Sequence, residues 1–216
     1  MKTAVLLSAG LDSAVLAAAE ARTSVVHPVY VNSGLAWEEE ERRTLRALLN
    51  APPFASLRPV AELTFTVRDL YPQTHWALTG VPPGFDTPDK DVYLAGRNVV
   101  LLAKAAIYCA QHGIPRIAMG PLAGNPFPDA TPEFFTTMAL ALWLGLAQPL
   151  DVETPFAAMH KEDVIRLGLA LDVPLEHTLS CMNPMGGLHC GQCSKCRERR
   201  DAFRSAGVAD PTVYAT

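Results

Sequence analysis

The chain has 216 residues, a net charge of −4 and about half of its residues hydrophobic. That length and apolar share support one sizeable core with a small appendage, and they exclude a disordered chain. No 18 consecutive apolar residues occur, so a spanning helix is not expected, and the acidic balance argues against a broad nucleic-acid surface.

The chain opens with a short apolar run, residues 3–7, which reads as a buried strand rather than a signal peptide because no cleavage-like site follows. It stops at Ser8, and a small-residue loop Ser8-Ala9-Gly10-Leu11-Asp12-Ser13 leads into an alanine-rich helical pattern. Residues 24–31 are rich in β-branched side chains and predict a second strand. Residues 36–49 have helical spacing with acids before bases, as the helix dipole prefers. Residues 63–67 predict a third strand. Residues 68–95 carry Pro72, Pro82, Pro83 and Pro88 with two glycines, and predict a long loop that orders in part over a site. A strong helix runs from Gly96 to near Gly113, and residues 116–120 predict a fourth strand. After a second Pro- and Gly-rich stretch, Thr131 is placed to cap a helix that has Pro132 at its first position and runs to about Leu146. Residues 149–156 contain a last short strand, and residues 160–171 a helix.

Strands alternating with helices predict an α/β fold, a doubly wound parallel sheet with a small C-terminal metal-binding tail. In such a sheet ligands sit beyond the carboxyl ends of the strands, which is where the loop of residues 8–13 falls. Small residues let backbone N–H groups approach a ligand, and the helix N-terminus adds partial positive charge, so phosphate is the expected guest. Ser8 and Ser13 offer hydroxyls, and Asp12 either caps the helix or orients a metal-bound pyrophosphate. The loop is neither the Walker pattern nor the Rossmann fingerprint. A serine-rich helix cap with no ligand is the competing reading.

Cys181, Cys190, Cys193 and Cys196 are spaced C-x8-C-x2-C-x2-C. Four clustered thiolates suit tetrahedral zinc with no open position, and an iron–sulfur cluster is the inorganic alternative. Lys195, Arg197, Arg199 and Arg200 stand nearby as candidate counter-charges, on a helix that follows the cluster. Cys109 lies in an apolar helical pattern and reads as a core thiol. The histidines show no ligand spacing and read as structural.

The order Ser-x-Gly-x-Asp-Ser after a strand resembles the pyrophosphate loop of ATP pyrophosphatases, in which a second glycine usually stands where this chain has Ala9. With Gly96-Arg97-Asn98, the 127–134 stretch, residues 155–181 and the four cysteines, the chain resembles the 7-cyano-7-deazaguanine synthases of queuosine precursor synthesis. The resemblance implies an adenine nucleotide alpha hydrolase-like domain over residues 1–176 and a zinc-binding tail over 177–216. It implies a cytoplasmic ATP-dependent ligase that adenylates 7-carboxy-7-deazaguanine or a close analogue, then uses ammonia to form an amide and a nitrile. Leu7, Ser8, Ala9, Gly10, Leu11, Asp12 and Ser13 would hold ATP with Mg²⁺. Asp12, Arg97 and Lys161 would act in catalysis. Gly96, Asn98, Phe127, Asp129 and Glu133 would bind the substrate, the two acids against Mg²⁺ or a purine-like amidine edge. The implied partners are ATP, ammonia and the deazapurine carboxylate. No membrane or nucleic-acid partner is expected, and a homodimer is left open.

The chain departs from the family at residues 32–41 and 121–130, where substrate should lie, and Ala130 replaces a cysteine. Three other readings therefore stay open. The enzyme would act on a different carboxylate or amine. RNA thiolation is disfavoured by the acidic balance. A zinc-stabilised nucleotide-binding module without turnover is the non-enzymatic case.

Overall fold

A computed structural model describes residues 1–215. Five strands are β1 (Lys2–Leu6), β2 (Val25–Asn32), β3 (Ala61–Thr64), β4 (Arg116–Ala118) and β5 (Asp151–Glu153). They form one sheet in the order β3-β2-β1-β4-β5, with every pairing parallel. Seven helices flank it: α1 (Leu11–Glu20), α2 (Glu38–Leu48), the single-turn α3 (Trp76–Thr79), α4 (Arg97–His112), α5 (Pro132–Leu146), α6 (Lys161–Ala170) and α7 (Ser194–Ala206). None of the helices is long and apolar enough to cross a membrane.

The two-residue period of a strand divides the core. Val5, Leu7, Val26 and Tyr30 pack with α1, α2, α6 and α7 on one face, while Ala4, Val29 and Val31 pack with α4 and α5 on the other. The sheet is therefore doubly wound. Cys109 is buried in the second cluster, and burial pushes its thiol up to about 12. Strand order reverses between β1 and β4, which opens a crevice beyond their carboxyl ends.

The expected third strand is displaced. The ladder strand is Ala61–Thr64, held in register by Val29 to Asn32 of β2, although Phe65 and Val67 still donate N–H bonds to Asn32 O and Ser33 O. An edge strand pairs on one side only, so its neighbour sets its limits. Residues 68–95 form a strap rather than a structureless loop. Trp76 of α3 stacks on Trp37 at 5.7 Å, and Gly84 bridges to Cys193. Thr131 caps α5 by accepting from Phe134 N, and Gly113 ends α4 with φ 60°.

The loop after β1 is tight. Ala9 adopts φ 61°, a conformation that costs a residue with a Cβ about 1–2 kcal/mol. It is held there because Leu179 N donates to Ala9 O at 2.9 Å. The glycine usual at this place in the resembled family would carry no such strain.

Helix α6 lies against α1 where Gly168 has no side chain. A Cβ at Gly168 would stand 2.8 Å from Val15 Cγ2 and 3.1 Å from Leu175 Cδ2. Gly168→Ala should therefore destabilise the fold by about 1–3 kcal/mol through overpacking. Urea unfolding measures it; a midpoint equal to that of the parent chain would show that α6 can slide without cost.

Candidate active site and metal centre

Beyond the carboxyl ends of β1, β2 and β4 lies a cleft of about 290 Å³. The loop of residues 8–13 forms its floor. Ser13 Oγ donates to Gly10 O at 2.9 Å and accepts from Ser8 N at 3.3 Å, which folds the loop over the N-terminus of α1. Gly10 is the N-cap, with no side-chain cap above it. Leu7, Ser8, Gly10, Asp12 and Ser13 line the cleft, whereas the buried side chains of Ala9 and Leu11 belong to the core. A second hollow of about 420 Å³ shares Asp12, Gly120, Pro121, Asn125 and Phe127 with the first.

Lys161, the first residue of α6, reaches this floor. Its Nζ donates to Asp12 Oδ2 at 2.9 Å and to Glu198 Oε1 at 2.8 Å. Lys195 binds the other oxygen of Glu198. Burial alone would lower the Lys161 pKa, but the two carboxylates outweigh it and hold the ammonium above its ordinary range. Burial likewise opposes the charge on Glu198, yet Lys161 and Lys195 bring its carboxyl down to about 2. Asp12 Oδ1 is buried without a hydrogen-bond partner.

The far wall comes from α4 and the segment before α5. Gly96 caps α4 with φ 75° but does not itself line the cleft. Asp129 is buried and accepts from Asn98 N at 3.0 Å, so it caps α4 from another part of the chain. Asn98 Nδ2 returns a bond to Asp129 O at 2.8 Å. Phe127 stacks on Tyr93 of the strap at 5.2 Å, and both line the cleft. Arg97 also lines it, with a buried Nε that has no partner. Glu133 is exposed on the first turn of α5 and is not among the residues that line the cleft.

Sequence reasoning missed Glu41 and Tyr30, which also line the cleft. Tyr30 OH donates to Glu41 Oε2 and Trp37 Nε1 to Glu41 Oε1, each at 3.1 Å. Burial pushes the Glu41 carboxyl up to about 7, with Glu38 adding to the rise and Arg97 opposing it. The signal was present: Trp37, Glu41, Leu45 and Leu48 form one buried stripe at helical spacing, with an acid inside it.

The four tail cysteines converge, their Sγ atoms within 4.8 Å of one another and all buried. Cys193 is the N-cap of α7 and Cys196 lies in its first turn, while Cys181 and Cys190 approach from the preceding turns. Backbone N–H groups of Asn183 and Cys190 point at Cys181 Sγ, and that of Gln192 at Cys190 Sγ. Such a cluster can hold a metal ion. The nearby cations are not its counter-charges by contact. Arg199 is buried and binds Thr178 Oγ1, Ser180 Oγ and Leu175 O. Arg197 binds Phe85 O, Thr87 O and Asp89 of the strap, Arg200 lies over Tyr214, and Lys195 serves Glu198. The backbone carbonyls and carboxylates around them are harder, better acceptors than sulfur. His189 accepts from Ser180 N and stays outside the cluster.

A Methanopyrus kandleri protein described as 7-cyano-7-deazaguanine synthase is 34% identical over 98% of this chain and 98% of its own. One of the same description from Nitratiruptor sp. is 30% identical over 99% of both chains. In fold, the chain is similar to a solved protein described as a predicted subunit of tRNA methyltransferase from Methanocaldococcus jannaschii, with TM-score 0.50 and 15% identity over 78% of this chain and 76% of that one. The family described as queuosine biosynthesis protein QueC matches residues 2–207, and the chain belongs to that family.

Proposed function

We propose that this chain is a cytoplasmic ATP-dependent carbon–nitrogen ligase that converts 7-carboxy-7-deazaguanine to 7-cyano-7-deazaguanine. The observation that carries the reading is the loop of residues 8–13 at the head of α1, opening into a cleft at the reversal of strand order, with Asp12 at its floor and Lys161 bound to Asp12 from the adjoining hollow. The names of the relatives support the product. Clustered reduced thiols suit a cytoplasmic setting.

A carboxylate does not react with ammonia at neutral pH, because oxide is a poor leaving group. In the proposed sequence a carboxylate oxygen attacks the α-phosphorus of ATP, and pyrophosphate leaves. Ammonia adds to the acyl carbon, loses a proton, and AMP departs to leave the amide. A second ATP activates the amide oxygen in the same way. Loss of that oxygen with AMP and of the two nitrogen protons leaves the nitrile. The chain's part is placement and charge stabilisation. Backbone N–H groups of the loop and the α1 terminus meet phosphate. Lys161 trades a carboxylate for phosphate oxygen. Arg97, with its free Nε, meets the anionic end of the substrate. Asn98 and Asp129 fix the head of α4 beneath it. Phe127 and Tyr93 offer a flat face to a heterocycle.

Asp12, with an unpartnered buried Oδ1, is the residue suited to a magnesium ion escorting the pyrophosphate, whose charge the ion would neutralise. In the tail we assign zinc. A Zn–S bond of about 2.3 Å in a tetrahedron separates sulfurs by about 3.8 Å. Cys193 and Cys196 stand 3.6 Å apart, and Cys190 and Cys196 3.9 Å. Four thiolates leave no open position, so the ion would be structural.

A second reading keeps the adenylation and changes the acceptor or the carboxylate. It is favoured by Glu41, Asn125 and Phe127, which line the cleft from the two stretches where the chain departs from the resembled pattern. Mass spectrometry of a reaction with 7-carboxy-7-deazaguanine, ATP and ammonium separates nitrile from amide or conjugate. A chain that binds ATP and never releases pyrophosphate would be a nucleotide-binding module instead.

Asp12→Ala should lower pyrophosphate release at least about tenfold, or 1.4 kcal/mol in the transition state, while the protein stays folded. Turnover equal to the parent in a folded variant would remove the loop from the mechanism. Elemental analysis of protein purified without added metal should give about one zinc per chain. Chelation should lower the melting temperature, since metal binding here is folding energy. Iron with visible absorption, or a metal-free protein of equal stability, would refute the zinc assignment.

A further inference from the structure

The α2 side of the cleft carries a buried carboxyl for which the mechanism above has no use. Glu41 is 7% exposed, yet it lines the cleft. Burying a carboxylate costs several kcal/mol unless donors satisfy it. Two donors are supplied by the fold: Trp37 Nε1 on Oε1 at 3.1 Å, and Tyr30 OH, which divides its one hydrogen between Oε2 at 3.1 Å and Glu38 O at 3.3 Å. Each carboxylate oxygen has two acceptor positions, so one per oxygen remains, side by side. The fold thus holds the carboxylate by one contact on each oxygen and leaves an acceptor position on each oxygen unused. Among the described residues no cation takes them. Arg97 acts on Glu41 through space but forms no ion pair with it.

We infer that Glu41 determines substrate specificity by accepting two parallel N–H bonds from the ring N–H and exocyclic amino group of an aminopyrimidinone edge. A flat ligand between them would present its donor edge to Glu41 and its anionic substituent to Arg97, which lies in the same cleft. A carboxylated 7-deazaguanine has both. This deepens the ligase reading and rests on it for the second half of that pairing. It also moves the edge-reading role away from Glu133, which lies outside the cleft, and from Asp129, whose Oδ2 is committed to capping α4. Two N–H donors would hold the Glu41 carboxyl in its ionised form, offsetting the burial that raises it.

The test compares Glu41→Gln and Glu41→Asp with the parent chain. Calorimetry measures binding of 7-carboxy-7-deazaguanine and of its analogue lacking the 2-amino group, and of guanine against hypoxanthine as carboxyl-free probes. Kinetics give KM for the carboxylate, ATP and ammonium. In the parent, the 2-amino compounds should bind at least about tenfold tighter than their partners, the worth of a charge-assisted hydrogen bond. Glu41→Gln presents a donor where an acceptor is needed, so this preference should collapse towards onefold. KM for the carboxylate should rise at least about tenfold, and KM for ATP should change less than about twofold. Glu41→Asp, which keeps the charge on a shorter arm, should retain part of the preference. Melting curves show that each variant is folded. A variant that weakens both members of each pair equally, or that changes KM for ammonium alone, would overturn the inference. Parent turnover with a preference independent of Glu41 would overturn it and spare the ligase reading. A Glu41-dependent preference without turnover of the carboxylate would do the reverse. No binding of any aminopyrimidinone overturns both.

Discussion

Lys161 ties three parts of the molecule into one site. Its ammonium lies between Asp12, on the helix that follows the loop of residues 8–13, and Glu198, on the helix that carries Cys196 and is capped by Cys193. An unpaired charge at such depth would cost about 3–5 kcal/mol, so any shift of α6 or α7 relative to α1 is opposed. The bare side chain of Gly168 permits α6 to come this close to α1. The loop's shape, the position of the lysine and the docking of the tail are therefore coupled through one ammonium group and one close helix contact. The same arrangement keeps a cation beside the loop of residues 8–13 paired with two carboxylates.

The tail is joined to the rest in more than one place. Leu179 N holds Ala9 O, Arg197 holds the strap through Phe85 O and Thr87 O, and Phe203 packs in the same cluster as α1. The clustered cysteines thus sit at the base of the helix that supplies Glu198 and the arginine anchoring the strap. Strap residues Val92, Tyr93 and Leu94 in turn line the cleft. Order at the cysteine cluster is transmitted to the cleft by packing and hydrogen bonds.

Electrostatics divide the cleft. The floor gathers backbone N–H groups, a helix N-terminus and Lys161, which suits phosphate. The wall has Arg97 and the buried Glu41, a cation and an acid that do not neutralise one another by contact. A ligand with an anionic end and a neutral N–H edge would complete both, and a ligand with only one of these features would leave a buried group unsatisfied. Discrimination of that kind comes from the penalty on the wrong ligand more than from the gain on the right one.

Local chemistry was legible in the sequence wherever near neighbours in the chain set it. Apolar runs and helical spacing marked the strands and helices, the Thr131-Pro132 cap was visible as a pair, and C-x8-C-x2-C-x2-C announced a cluster because short spacings allow few arrangements. The loop after β1 was legible for the same reason, and the φ of 61° at Ala9 fits a position where a glycine usually stands in the resembled loop. Groups that meet across the chain were not legible. Glu41 reads as one acid in a run of four, and only β2 lying beside α2 brings Tyr30 to it. Lys161 and Asp12 are distant in sequence, and Asp129 caps a helix that begins well before it. Glu133 looked equivalent to Asp129, but the helix start turns one acid inward and the next outward. Sequence determines which backbone elements form, because their hydrogen bonds are local. Tertiary packing decides which charges face one another, because burial makes those few encounters costly to leave unsatisfied.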